Sequence, residues 1–197
     1  MNGSERVVPL RFDLSELVRR SVASLYSHLV TRPTGRALRI GIESQIAELG
    51  AICVSILDFT QVVVLDYSCA DETVAKLLMR YQQPDRPAEA YFIARGVADR
   101  HRDALEAVLE RHGLALAADV CDVGPVLLGT ASPAEREAWA VLETLVRADA
   151  AGVAGALGAS PREAGVVLDR LVERRLAVKQ ESSGVYYALS GLVAPAP

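Results

Sequence analysis

The stretch LDYSCADETV, Leu65 to Val74, sets one hydroxyl, Ser68, among three carboxylates, Asp66, Asp71 and Glu72, with the Cys69 thiol beside it. Three chemistries fit such a cluster: nucleophilic attack, acceptance of a phosphate, or the capping of a helix. Attack by Ser68 or Cys69 needs a base in reach, ordinarily a histidine. His28 and His101 fall on predicted helices, where histidines are usually solvated or edge-packed, and His112 falls at a helix end before Gly113. A helix start lowers a thiol pKa, but three neighbouring acids push it back up. The pattern therefore points away from an enzyme. As a cap, Ser68 with Asp71 makes a Ser-x-x-Asp variant of the capping box. As a phosphate acceptor, Ser68 gains from the free N–H groups of a helix start and is opposed by the nearby carboxylates. Cap and acceptor are compatible roles.

Other candidates carry less. Asp58 and Asp66 are able to share a divalent cation, but loop aspartates commonly cap or turn. Arg95, Arg100 and Arg102 could bind an anion; interspersed acids favour surface pairing instead. GALGAS lacks the Gly-Lys-Ser/Thr of a phosphate loop. No metal or cofactor is expected.

The elements that position these residues follow from periodicity. A short strand is predicted in RVVPLRFD, then a helix from Leu14 to Leu29, broken by TRPTG. Leu38, Ile42, Ile46 and Leu49 line a second helix. AICVSILDF is a continuous apolar run, as in a strand buried on both faces, with Asp58 at its carboxyl end. Ala70, Val74, Leu77, Leu78 and Tyr81 mark a third helix, AYFIARGV another strand, and Leu105, Val108 and Leu109 a helix stopped by Gly113. LALAADV and GPVLLGT complete a layered α/β pattern.

The alternation ceases at GTASPAERE, which marks a boundary between residues 1–130 and residues 131–197. Three helices follow, near 134–147, 150–157 and 161–175, then two β-rich runs around ESSG, a hairpin signal. Ser160 before Pro161 is a strong N-cap. Helix, helix, helix and hairpin in this order resemble a winged helix-turn-helix domain, of mixed α+β class. The resemblance places Ser160, Arg162 and Arg170 of the third helix, and Lys179 of the wing, toward double-stranded DNA. Against it, the span from Pro133 to Leu192 carries seven Lys or Arg and eight Asp or Glu, so docking on protein stays open.

LDFTQV (Leu57 to Val62) and SCADE (Ser68 to Glu72), with TRPTGRALR before them, resemble the STAS fold of anti-sigma-factor antagonists, and more closely the STAS-like family of unassigned function. The resemblance implies a layered α/β sheet and no catalysis. It implies docking on an anti-sigma-like kinase or ATPase through the face around Asp58, Asp66, Tyr67, Asp71 and Glu72, and it lays the family's phospho-acceptor on Ser68. Tyr67 and Cys69 depart from the family's Asp-Ser-Ser-Gly. The expectation is a regulatory protein in which a STAS-like interaction module is coupled to a DNA-binding winged helix, or an adaptor whose winged helix docks protein.

The whole chain agrees with a regulator. Its 197 residues allow two small domains, and 51% hydrophobic with 5% aromatic residues means an Ala, Val and Leu surplus. A net charge of -4 argues mildly against a general hold on nucleic acid. Cys53, Cys69 and Cys121 form no CxxC pair, which fits reduced thiols. No targeting segment is seen and no apolar run approaches the ~20 residues of a span, so a cytoplasmic protein off the membrane is expected. The first predicted helix is a candidate partner or homodimer surface.

Overall fold

Cys53 to Asp58 forms strand β3, and every one of its residues is buried. A computed structural model gives the reason; it describes residues 8–13, 28–49 and 52–193. β3 lies inside a five-stranded sheet of order β1 (Val8–Asp13), β3, β5 (Ala90–Val97), β6 (Ala115–Val120), β7 (Gly124–Gly129). All neighbours are parallel except β6 and β7, which form an antiparallel pair. Two short strands, β2 (His28–Leu29) and β4 (Val64–Leu65), pair in parallel beside it.

Because side chains alternate along a strand, the sheet has two distinct apolar faces. Cys53, Leu57, Phe92, Leu116 and Leu128 join one core; Val54, Tyr91, Ala115, Ala117 and Leu127 join another. The first core is closed by helices α1 (Arg32–Leu49), α2 and α3 (Asp99–Arg111). Helix α2 is continuous in three segments: α-helical Tyr67–Ala70, π-helical Asp71–Ala75 and α-helical Lys76–Gln82. The chain steps from β3 to β5 to β6 in one direction, so crossovers of one hand put α2 and α3 on the same face. The opposite face is left apolar.

That face is covered by the rest of the chain. Helices α4 (Pro133–Leu145), α5 (Ala150–Leu157) and α6 (Pro161–Glu173) are followed by the hairpin β9 (Ala177–Gln180) and β10 (Val185–Ala188) and by α7 (Leu189–Val193). A two-residue strand, β8 (Arg147–Ala148), adds to β10 to make a three-stranded antiparallel sheet. Ala138, Trp139 and Leu142 of α4, Leu168 and Leu171 of α6 and Leu189 of α7 share the second core with the large sheet. Seven helices and three sheets are present among the described residues, a mixed α/β protein.

Most predicted elements occur. Pro33 begins a helix rather than breaking one: Thr31 Oγ1 accepts the Thr34 N–H at 3.3 Å, and a first-turn proline forfeits no intrahelical bond. The helix predicted over Leu14 to Leu29 falls largely outside the described residues. Its last two residues, His28 and Leu29, form β2 instead, held by pairing to β4 that no local pattern announces. The Gly113 stop is observed at φ +66°, a left-handed conformation that glycine adopts without strain.

Candidate functional site

Asp66, not Ser68, caps α2. Its backbone is extended, and its Oδ1 accepts the Cys69 N–H at 2.7 Å and the Ser68 hydroxyl at 2.9 Å. Ser68 already lies within the first helical turn, so its hydroxyl braces the cap rather than forming it. Asp66 is placed by the small parallel pair, its N–H donating to Leu29 O at 2.9 Å. Ser68 is half-buried, and beside it Tyr67 is 48% exposed, with Val63 and Val64 at 49% and 37%. Val63 lies in the bend before β4 and Val64 begins β4, the strand that delivers the chain to α2.

Asp71 and Glu72, which the resemblance put on the docking face, are both buried and paired within the chain. Asp71 lies 2.7 Å from His112 Nε2 and 3.2 Å from Arg32 Nη1. Glu72 lies 3.2 Å from Arg32 Nη1, binds Lys76, and its carbonyl accepts from Arg39 Nε at 3.1 Å. The π-helical segment carries both residues inward. Burial pushes the Asp71 carboxyl up, but the His112 and Arg32 bonds outweigh it and hold the pKa below the usual range. The Lys76 bond holds that of Glu72 down, against burial.

The same region disfavours a nucleophile. Burial pushes the Cys69 thiol up to about 11, and its Sγ lies 3.8 Å from Thr73 Oγ1. Ser68 donates to a carboxylate, not to a histidine. His101 is fully buried rather than edge-packed: Nε2 lies 2.8 Å from Val62 O and Nδ1 accepts the Ala98 N–H at 3.3 Å.

Asp58 is also committed. It is buried at the carboxyl end of β3, where Oδ1 accepts the Thr60 N–H at 3.0 Å and the Thr60 hydroxyl, and Oδ2 lies 3.6 Å from Arg95. It therefore shapes the β3–β4 turn. Arg100 donates to Val62 O at 3.1 Å, pinning the same turn. Arg102 lies 3.7 Å from Glu106, the surface pairing expected. Of the residues expected to dock a partner, Tyr67 is the well-exposed one, with Ser68 and Asp66 partly so.

On the second module the cations divide. Lys179 is bound to Asp169 at 2.7 Å, and the Tyr186 hydroxyl donates to the same oxygen at 2.8 Å. Arg136 donates to Leu127 O and Gly129 O, masking the edge of β7. Arg174 donates to Glu135 Oε1 at 2.9 Å and to Thr130 O at 2.5 Å. Arg175 binds Glu89 at 2.7 Å and Ala90 O at 3.2 Å and stacks 4.8 Å from the Tyr91 ring centroid. Arg147, Arg162 and Arg170 are exposed and make no ion pair among the described residues. Ser160 caps α6 in a reciprocal box with Glu163, donating from Oγ at 2.6 Å.

The sequence alone does not mark Val63, Val64, Arg32 or the Arg174–Arg175 pair as functional, and gives His112 no partner. For Arg174–Arg175 there was a signal, two adjacent cations just past a helix end; for the others their partners are far off in sequence. Among the described residues no group of three or more His, Cys, Asp or Glu is arranged to hold a metal, and no helix is long and apolar enough to cross a membrane. Compared with models of known protein families, the chain matches none, and no curated protein matches it significantly.

Proposed function

We propose that this chain is a two-module regulatory protein: a STAS-like sheet module that docks a protein partner, joined to a winged-helix module that delivers the output on double-stranded DNA. The docking face is centred on Tyr67, with Val63, Val64 and the Ser68–Asp66 pair around it. An exposed aromatic flanked by exposed β-branched residues at a helix start is the composition of an interface core. The partner class is an anti-sigma-like kinase or ATPase, by resemblance of LDFTQV and SCADE. Phosphate on Ser68 would break its bond to Asp66 and set two anions together, loosening the cap and gating the face.

The observation that carries the output is the state of α6. Its buried stripe, Ala164, Leu168 and Leu171, faces the second core, while Arg162 and Arg170 lie on the exposed side without partners. Two unpaired guanidiniums at eight-residue spacing lie about 80° apart around the helix, both on its exposed side, and suit groove contacts. A duplex selected from a random pool tests it by fluorescence anisotropy. Arg162→Ala with Arg170→Ala should weaken binding about tenfold or more, and affinity should fall steeply with salt.

A second reading has its own support. Val166 is 50% exposed between those arginines, Glu163 and Glu173 are exposed on the same helix, and Lys179 is neutralised by Asp169. If no duplex outcompetes nonspecific DNA, the winged helix is a protein-docking surface and the chain an adaptor.

A further inference from the structure

Helix α2 touches the second module's Arg174 by two routes. At its start, Asp71 holds His112, and the next residue, Gly113, accepts from Arg174 Nη2 at 3.3 Å. At its end, Gln82 Nε2 donates to Arg174 O at 3.4 Å. Arg174 itself terminates α6, its N–H donating to Arg170 O at 3.0 Å, and its guanidinium grips Glu135 in the first turn of α4. One residue therefore ties the exit of α6, the start of α4 and both ends of α2.

A tie transmits a signal only if some element in it has a second arrangement. The π-helical segment Asp71–Ala75 offers one, because a π turn has the ordinary α turn as its alternative. It contains a wider turn, with Lys76 N–H donating to Asp71 O five residues back. Closing it as α-helix rotates Asp71 relative to the rest of α2 by about 100°, the angle of one residue. That rotation takes the carboxylate off His112. The segment begins directly after the turn that carries Tyr67 and Ser68, so an event there acts on the π turn first.

We propose that the π turn of α2 and Arg174 form a mechanical coupling between the two modules, with His112 as the positioning residue that joins them. The coupling is a property of this chain and stands whether the output is DNA or protein. The Asp71–His112 pair holds Gly113 and Arg174 in place; loss of that pair loosens the end of α6.

Amide hydrogen exchange on the full chain tests this. His112→Ala should speed exchange at the Arg174, Arg175 and Leu176 amides by about fivefold or more, the low end of an allosteric coupling, while Leu57 and Phe92 in the central sheet keep their rates. His112→Gln, which retains a donor near Nε2, should restore much of the protection. Coupling is reciprocal, so Arg174→Ala should speed exchange at Cys69 to Glu72. Effects confined to the mutated module, or a uniform rise across the chain, would overturn the proposal. Should His112→Ala not fold, the Arg174→Ala measurement decides alone.

Discussion

His101 is fully enclosed, stacked at 5.8 Å from the Phe59 ring and bonded through both ring nitrogens to backbone. Burial lowers its pKa below the ordinary 6.5; the Val62 carbonyl works the other way, and the Arg100 charge adds to the lowering. The sign follows by linkage. Below 6.5 the unfolded chain takes up a proton that the folded imidazole resists, so this contribution is complete above 6.5 and is lost as pH falls below it. Urea unfolding at pH 7.5 and pH 5.5 should therefore show lower stability at the acid value. His101→Gln should be less stable at pH 7.5 and show a smaller difference between the two. An equal pH difference in both proteins would mean that another group is responsible. At the same scale, the acid cluster around Ser68 divides by partner: Asp66 stays half-buried as a cap, while Asp71 and Glu72 are held inside by bonds to Arg32, His112 and Lys76.

Helices α1 and α2 cross at Gly35, and the crossing sets where α2 begins. A methyl group there would stand 2.8 Å from Cys69 O, 2.9 Å from Glu72 Cβ and 3.0 Å from Thr73 Oγ1, while Thr73 donates to Gly35 O at 3.1 Å. Alanine improves helix propensity by about 1 kcal/mol but overpacks at a cost of about 1–3 kcal/mol, and here the obstruction includes backbone. Gly35→Ala should therefore lower stability in chemical denaturation. Gly155→Ala is the contrast: it lies within α5 with nothing within 4 Å of a Cβ, and should raise stability by about 0.5–1 kcal/mol. A neutral Gly35→Ala would mean that α1 slides on α2 freely, and the alignment of Arg32 with Asp71 would then need another cause.

The C-terminal helices and hairpin meet the sheet on the face that α1, α2 and α3 leave open, and Arg175 is the polar clasp of that contact. It takes a positive φ of 60°, binds Glu89 and Ala90 O, and covers Tyr91. Its side chain is 10% exposed, so its charge-assisted bonds are worth about 1.5–3 kcal/mol. Arg175→Ala should lower thermal stability accordingly, whereas Arg80→Ala, whose Asp85 partner is exposed, should cost under about 1 kcal/mol. Equal losses would mean that the apolar second core alone holds the modules together. Helix α6 is thus docked by its far end, and the face bearing Arg162 and Arg170 stays in solvent.

Local pattern was enough for much of this molecule. The apolar run of β3, the stripes of α2, α3 and α6, and the Ser-Pro starts of α4 and α6 obey rules that act within a few residues, so periodicity and capping reveal them. The cluster at Leu65 to Val74 was legible as a helix start for the same reason. Three things depended on residues brought together from far along the chain. Which acid caps was decided by the β2–β4 pairing that places Asp66; which acids stay outside was decided by the π turn and by Arg32 and His112, some forty residues away on either side. The placement of the C-terminal helices and hairpin on the sheet was decided by the sheet's second face. A strand alternates its side chains to both faces whatever covers them, so composition states that two faces are apolar and only the packed chain states which elements close each one.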